Sequence, residues 1–192
     1  MGKFTVALLA CITLAGAACA QEPVSLFDGK TLAGWKAVTC EAEVVDGAIL
    51  IKAGNGFLLA DKPYGDFILE CDWKALNKEM WDSGIYFRSG APTNNFPWPK
   101  EHQVNMRRGQ EGAINGADKT KAASLYKPGE WNHFKLTVKG KTAELEFNGE
   151  KAWSRDGIEP AKGNLCLQAE VPKGGQFLFK NITLVDLDAI KK

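Results

Sequence analysis

Alternating hydrophobic and polar residues predict short β-strands along most of the chain. In the run Asp66–Lys74, Phe67, Leu69, Cys71 and Trp73 alternate with residues that are mostly charged. Such a period of two places one set of side chains on each face of a strand. About ten segments of this kind are separated by turn sequences, and none has the length and periodicity of an amphipathic helix. The pattern predicts an all-β sandwich or jelly roll.

Turn sequences indicate how some of these strands connect. The dipeptides Asp46-Gly47 and Asn148-Gly149 each stand between two alternating segments and predict tight β-hairpins. The stretch Arg107–Tyr126 is rich in Gly, Ala and Lys and lacks periodicity, so we expect a long loop with one helical turn. A long loop beside polar strands is often functional.

Two consecutive predicted strands, Trp81–Arg88 and Glu101–Met106, carry the densest set of polar groups in the chain. If both strands are regular and pair, one face collects two carboxylates, a guanidinium, two amides and a phenol. These side chains come from Asp82, Tyr86, Arg88, Glu101, Gln103 and Asn105, with Gly84 among them. Gln168 and Glu170 share one face of a later strand and are candidates for the same surface.

Each charged candidate has two interpretations. Arg88 is either a rim residue paired with a surface acid or a donor to sugar hydroxyls or a developing oxyanion. Glu101 alone would be a surface acid, but facing Arg88 and Asp82 it becomes a candidate general base or a ligand of a hard cation such as Ca²⁺. His102 points to the opposite face of a regular strand, and His133 is interpreted as structural.

Aromatic residues near polar groups suit sugars, whose C–H faces stack on rings while their hydroxyls accept and donate hydrogen bonds. Trp81, Trp98, Trp131 and Tyr86 provide such rings, although tryptophans also fill sandwich cores. We expect Trp35, Trp73 and Trp131 in the core, and Trp98, in a Pro-flanked loop, at the site.

Composition narrows the class of protein further. The chain has 192 residues, is 45% hydrophobic and 24% charged, and carries a net charge of +1, so nothing points to nucleic acid. The length suits one domain, which we place at residues 21–192. Common phosphate-binding, dinucleotide and hydrolase signatures are missing, and two histidines exclude a His-rich metal site.

The first twenty residues predict a signal peptide, because Lys3 precedes an apolar run and Ala18-Cys19-Ala20 fits a small-residue cleavage site before Gln21. A secreted or periplasmic protein follows from this prediction. In a rival interpretation, Cys19 is lipidated and anchors the protein to a membrane. The three remaining cysteines, Cys40, Cys71 and Cys166, allow at most one disulfide or are buried thiols, and their spacing argues against a zinc cluster.

An ordered set of short motifs resembles the DUF1080 family, the 3-keto-glycoside lyase/hydratase domain once called 3-keto-disaccharide hydrolase. The motifs cover nearly the whole mature chain: Leu26–Leu32 with Gly34-Trp35, Gly65–Phe67, Asp82–Arg88, Glu101-x-Gln103, Pro128–Asn132, Asn148-Gly149, Leu167-Gln168 and Lys180–Ile182. The resemblance implies a concanavalin A-like lectin/glucanase jelly-roll sandwich, in agreement with the strand pattern.

The resemblance also implies a chemistry. A C3 ketone acidifies the C2 proton of a sugar, so a base can remove it and the C1 aglycone leaves by elimination, after which water can add to the resulting glucal. On the matching positions, Glu101 would be the base or a metal ligand and Arg88 would stabilise the enolate. The implied substrate-binding residues are Asp82, Tyr86, Trp98, Gln103, Asn105, Gln168 and Glu170. A divalent cation such as Ca²⁺ is a possible cofactor, with its ligands unknown.

The chain departs from the family pattern at three places. Asp82 stands where Asn is frequent, Val104–Arg108 replaces an aliphatic and acidic run, and Ala169-Glu170-Val171 replaces a run of acid, His and Gly. The third departure removes a candidate catalytic or metal-binding histidine. Three hypotheses therefore stand: an enzyme cleaving 3-keto-glycosides, a lectin-like carbohydrate-binding module without chemistry, and a structural accessory of a cell-surface glycan complex.

Overall fold

Eleven antiparallel strands and two short helices form the described part of the chain. The structure is a computed structural model that describes residues 22–90, 97–99, 101–114 and 119–189, so the predicted signal peptide and Cys19 lie outside it. The strands are β1 (Val24–Ser25), β2 (Trp35–Val45), β3 (Ala48–Ala60), β4 (Phe67–Ala75), β5 (Gly84–Ser89), β6 (Gln103–Asn105), β7 (Asn132–Lys139), β8 (Thr142–Phe147), β9 (Glu150–Asp156), β10 (Asn164–Glu170) and β11 (Phe177–Asp186). The helices are α1 (Lys119–Ser124) and α2 (Val171–Gly174).

The strands follow one another in the order β6-β5-β10-β3-β11-β4-β7-β8-β9, with β2 on β3 and β1 on β11. Strand β3 pairs with β10 through residues 55–59 and with β11 through residues 49–51. Because β3 pairs with two different strands at different points along its length, the sheet curls over and encloses its own apolar face. The all-β jelly-roll prediction is confirmed.

The core lies inside this curl and is rich in aromatic rings. Trp73 is fully buried, and its ring centroid lies 5.4–6.2 Å from those of Phe134, Phe147 and Phe177. These residues occupy alternate positions of β4, β7, β8 and β11, as the period of two predicts. Burial of this apolar surface is the main force that stabilises the fold.

The predicted hairpin turns are confirmed. Asp46 and Gly47 both have positive φ between β2 and β3, as do Asn148 and Gly149 between β8 and β9. The stretch Arg107–Tyr126 contains α1, which matches the expected helical turn. No helix of the described ranges has the length and apolarity needed to cross a membrane.

One tryptophan that was predicted to lie in the core lies outside it. Trp131 is half-buried outside the core, where the Lys180 ammonium lies 4.0 Å from its ring centroid. Trp81 and Trp153 fill the core instead, together with Trp35 and Trp73 as expected. Trp81 is tied inward because its Nε1 donates to the carboxylate of Glu111 at 3.1 Å.

The three cysteines of the described chain carry free thiols, so the disulfide alternative is wrong. Cys71 and Cys166 are buried and Cys40 is partly buried. Burial raises the pKa of all three thiols, because desolvation disfavours the thiolate. They act as small buried hydrophobic residues, the other interpretation of the sequence.

Candidate functional site

Strands β6, β5 and β10 turn one face away from the core, and the polar candidates lie on it. Their inward residues, such as Ile85, Phe87 and Leu167, belong to the main core. On the outward face, Tyr86 pairs across the strands with Gln103 on one side and Cys166 on the other. We call the outward set Asp82, Tyr86, Gln103, Arg107, Gln168 and Glu170 the polar face.

A chain of hydrogen bonds runs across the polar face. The side-chain amide of Gln103 donates to Gln168 Oε1, and Gln168 Nε2 donates to Glu170 Oε2 at 3.1 Å. Both amides are thereby oriented before any ligand arrives. Ser83 Oγ adds support from beneath by donating to the Gln168 carbonyl at 2.8 Å.

Gly84 makes this chain possible. It faces Asn105 in the ladder, two positions before Tyr86, and a Cβ at Gly84 would overlap the side-chain amide of Gln103. The absence of a side chain lets Gln103 lie across β5 and reach Gln168. The glycine therefore shapes the floor of the polar face.

Two carboxyl groups meet at the end of this chain. The pKa of Asp82 is raised to about 6, first by burial and then by the nearby charge of Glu170, while Arg107 opposes the shift. The pKa of Glu170 is also raised by burial, against the charges of Lys173 and Arg107. Neighbouring acids with elevated pKa values are typical of sites that exchange protons near neutral pH.

Tyr86 lies beside this carboxyl pair. Its pKa is raised by burial first and then by the charges of Asp82 and Glu170, so the phenol keeps its proton at neutral pH. The hydroxyl is therefore a hydrogen-bond donor in a setting rich in acceptors.

Arg107 is the cation of the polar face, and sequence reasoning did not single it out. Its Nε lies 3.6 Å from Asp82 Oδ2, and more than half of its side chain is exposed. Its backbone N–H donates to Asn105 Oδ1 at 2.7 Å, which turns the chain after β6. Extending the alternation of Gln103 and Asn105 by one step reaches Arg107, so the signal was present in the sequence.

Arg88 does not join the polar face, contrary to the prediction. Tyr86 pairs with Cys166 but Ser89 pairs with Asn164, so β5 has one extra residue at this point, and Arg88 has a φ of 46°. This β-bulge turns the side chain out of the regular alternation. The guanidinium is buried and donates to the Gly65 carbonyl at 2.9 Å, to the Gly140 carbonyl at 2.6 Å and to Asp66 at 2.7 Å.

Glu101 lies beside the polar face rather than in its hydrogen-bond chain. Its Oε2 accepts a hydrogen bond from the Gly90 N–H at 3.1 Å. Together with Gln103, His102 and Arg155 it lines a cavity of about 250 Å³ at the edge of β6. The expected meeting of Glu101, Arg88 and Asp82 is absent from the contacts of the described residues, because the bulge removes Arg88.

The remaining candidates, His102, Asn105 and His133, lie at three different places in the fold. His102 is bound to the backbone of Glu159 through Nε2 and stacks on Phe87, on the side expected for it. Asn105 holds the following loop through its amide, which donates to Gln110 at 3.3 Å. His133 contacts Asp72 at 2.7 Å on the outer face of β7, far along the sheet order from β6.

Trp98 lies where the sequence predicted it, against the outward face. Its Nε1 donates to the Ala169 carbonyl at 3.0 Å. Its ring packs on a second apolar cluster made by Phe57, Tyr86 and Cys166. The outward face is therefore polar over β6, β5 and the end of β10, and aromatic toward β3.

A metal could use the carboxylates of Asp82 and Glu170, which are hard oxygen ligands of the kind Ca²⁺ prefers. Within the described ranges, no group of three or more His, Cys, Asp or Glu side chains is arranged to hold a metal ion. Two carboxylates, one of them bound to Gln168, are too few for a cation site built from protein ligands alone. The divalent cation thus stays a prediction from the sequence.

Solved structures with the same fold include a protein of Parabacteroides distasonis ATCC 8503, provisionally assigned as a glycosyl hydrolase. It is 22% identical, with a TM-score of 0.73 over 86% of this chain and 94% of that one. The carbohydrate-binding module CBM66 of Bacillus subtilis is 15% identical, with a TM-score of 0.61 over 79% of this chain and 94% of that one. A protein of Bacillus subtilis with a galectin-like fold is 9% identical, with a TM-score of 0.52 over 77% of this chain and 86% of that one.

No curated protein matches the sequence. A family model described as the 3-keto-alpha-glucoside-1,2-lyase-like domain matches residues 22–185, nearly the whole described chain. This match agrees with the ordered motifs noted in the sequence. The protein belongs to the 3-keto-alpha-glucoside-1,2-lyase-like domain family.

Proposed function

We propose that the protein cleaves 3-keto-glycosides by eliminating the C1 aglycone, followed by addition of water to the glucal. Family membership supports a carbohydrate-related function. The observation that carries the proposed chemistry is the pair Asp82 and Glu170, two neighbouring carboxyl groups with raised pKa values beside a protonated Tyr86.

Asp82 is the proposed base. With a pKa of about 6 it is ionised at neutral pH, yet it is more basic than an ordinary Asp carboxylate. It removes the C2 proton, which the C3 ketone has made acidic, and the electrons of the C2–H bond pass into the enolate. The enolate then forms the C1=C2 double bond, the C3 carbonyl is restored and the C1–O bond breaks.

Glu170 is the proposed acid. Burial raises its pKa, which makes it a better proton carrier than an exposed glutamate, and a proton bound to it can pass to the departing aglycone oxygen. In the hydration step, water adds its hydroxyl to C1 and a proton returns to C2, which gives the free 3-keto sugar. The same two groups serve both steps with their roles reversed.

The other residues of the polar face bind and stabilise. Tyr86 and Arg107 can donate to the C3 oxygen as negative charge develops there. Gln103 and Gln168, oriented by their hydrogen bonds, hold sugar hydroxyls, and the Trp98 ring offers an apolar surface for the C–H face of a sugar. Glu101, on the flank, is a further candidate for the base.

The test is an incubation of the purified protein with aryl 3-keto-glucosides, following aglycone release and the ultraviolet absorbance of 2-hydroxy-3-keto-glucal. We expect release of the aglycone with transient glucal. A parallel incubation with EDTA tests the predicted divalent cation. Retained sugar binding without any aglycone release across α- and β-anomers would contradict the proposal and favour the lectin-like alternative.

Substituting Gly84 with alanine should weaken substrate binding while leaving the fold intact. The new Cβ displaces the flexible Gln103 amide and breaks its bond to Gln168, but β5 keeps its backbone pairing. We expect KM to rise about tenfold, the effect of roughly 1.4 kcal/mol. The melting temperature is the control, and an unchanged KM would show that Gln103 does not contact substrate.

A further inference from the structure

A second cleft, unrelated to the polar face, opens between the loop after β4 and the loop before β7. Its volume is about 320 Å³, which lies in the size range of small-ligand sites. Asn77, Lys78 and Trp81 line it from the first loop, and Tyr126 and Pro128 from the second. No part of the polar face takes part in its lining.

The aromatic wall of this cleft is rigid. The Tyr126 ring is stacked on fully buried Trp73, with 5.5 Å between centroids and 6° between planes. It is also 5.5 Å from the Trp81 ring at a tilt of 40°. Trp81 is fixed in turn by its hydrogen bond to Glu111 and by the Arg108 guanidinium, 5.6 Å from its ring centroid. A preformed wall lowers the entropic cost of binding.

Polar donors stand at the rim of the cleft. Asn77 Oδ1 accepts hydrogen bonds from the N–H groups of Glu79 and Met80 at 2.9 and 3.2 Å, which fixes the amide. Its Nδ2 makes no hydrogen bond to a described residue, and the exposed Lys78 ammonium makes no ion pair with one. Both groups are therefore available to a ligand that accepts hydrogen bonds.

We propose that this cleft binds a hexopyranose unit, independently of the chemistry proposed for the polar face. An aromatic and proline surface beside an amide and an ammonium matches a ring that has C–H groups on one face and hydroxyls around its edge. Tyr126 and Pro128 contact the C–H face, and Asn77 and Lys78 bind hydroxyl oxygens.

One chain segment connects the cleft with the polar face. Residues 77–82 run from the rim of the cleft to Asp82, and both ends of this segment are tied to the turn that follows β10. The Leu76 N–H donates to the Gln176 carbonyl at 3.0 Å, and the Asp82 N–H donates to the Gly174 carbonyl at 3.1 Å. A sugar in the cleft would thus hold a glycan close to the polar face without occupying it.

The indole N–H resonances of ¹⁵N-labelled protein give a direct test. Each of the six tryptophans contributes one resonance, and Trp81→Phe and Trp98→Phe proteins assign the two that matter. Titration with methyl α- and β-glucopyranoside and methyl β-galactopyranoside should shift the Trp81 resonance in a saturable manner. A sugar on the polar face would shift the Trp98 resonance instead, so failure of the enzymatic proposal is distinguishable from failure of this one.

Two variants of the cleft complete the test. Lys78→Ala removes an exposed rim group without touching the core, and Tyr126→Phe keeps the ring stack and removes only the hydroxyl. We expect Lys78→Ala to weaken the Trp81 titration at least threefold and Tyr126→Phe to preserve it, with Lys139→Ala as the matched exposed-lysine control. No Trp81 shift with any of the three glycosides, or a titration that Lys78→Ala leaves unchanged, would overturn the proposal.

Discussion

An Arg88→Ala protein is expected to lose about 3–5 kcal/mol of unfolding free energy, because breaking a buried ion pair leaves an uncompensated charge inside the protein. Arg88 ties three segments together through Gly65, Asp66 and Gly140. Without the guanidinium, the buried Asp66 carboxylate keeps only part of its hydrogen bonding, and two carbonyls lose their donor. For a chain of this size, the melting temperature should fall by about 10 °C or more.

Urea unfolding, followed by circular dichroism, measures this loss. The matched control is Arg107→Ala, which removes an exposed arginine from the polar face and should change the unfolding free energy by less than about 0.5 kcal/mol. Comparing the two variants distinguishes a structural role of Arg88 from a catalytic one. The distinction matters because Arg88 was expected from the sequence to stabilise the enolate. An Arg88→Ala protein of normal stability with greatly reduced turnover would restore that assignment.

An Asp82→Asn protein is expected to lose 10²–10⁴-fold in turnover, the usual contribution of a positioned general base. The wild-type rate should rise with pH through about 6, as Asp82 loses its proton. The asparagine has the same shape and cannot accept the C2 proton, so the loss is one of chemistry. A Glu101→Gln protein is the matched control, and we expect it to keep most of its activity. A large loss of turnover in Glu101→Gln together with a small loss in Asp82→Asn would identify Glu101 as the base.

The same substitution is expected to stabilise the fold at neutral pH. Because the pKa of Asp82 is raised on folding, the native state binds a proton more tightly than the unfolded chain between pH about 4 and about 6. Stability therefore falls as pH rises through this window, and Asp82→Asn avoids the loss. We expect a gain of about 1 kcal/mol at pH 7.5 that vanishes near pH 4. Urea unfolding at the two pH values measures it, and a destabilised variant at pH 7.5 would contradict it.

The period of two explains how much of the site could be predicted. Alternation placed Gln168 and Glu170 on one face of their strand and made them candidates for the surface that carries Gln103, and the hydrogen bonds show that the three side chains meet. Arg88 departs from the alternation along β5, and the sequence does not show this because an arginine gives no sign of a bulge. A positive φ at a non-glycine residue is set by tertiary contacts. A Cβ at Gly163 would overlap the Arg88 backbone, so the bulge depends on a residue 75 positions away.

Electrostatics could not be predicted from the sequence. The pKa of Asp82 depends on desolvation and on the charge of Glu170, and that of Glu170 depends on desolvation and on the charges of Lys173 and Arg107, so both depend on how the end of β10 packs beside the start of β5. A sequence gives the type of each acidic residue but not how deeply its carboxyl group is buried. The same limit applies to Trp131 and Trp81. Both occur in alternating segments, so only the packing of the folded chain decides that Trp81 lies in the core and Trp131 lies outside it.

The side-chain volumes at Gly84 and Gln103 depend on one another. The amide of Gln103 occupies the volume that a side chain at Gly84 would fill. We therefore expect the two positions to covary among relatives: any residue larger than glycine at the first should accompany a shorter or redirected residue at the second. Chains that break the pairing should have lost the cross-strand amide bridge, and with it the contacts to sugar hydroxyls proposed for Gln103 and Gln168.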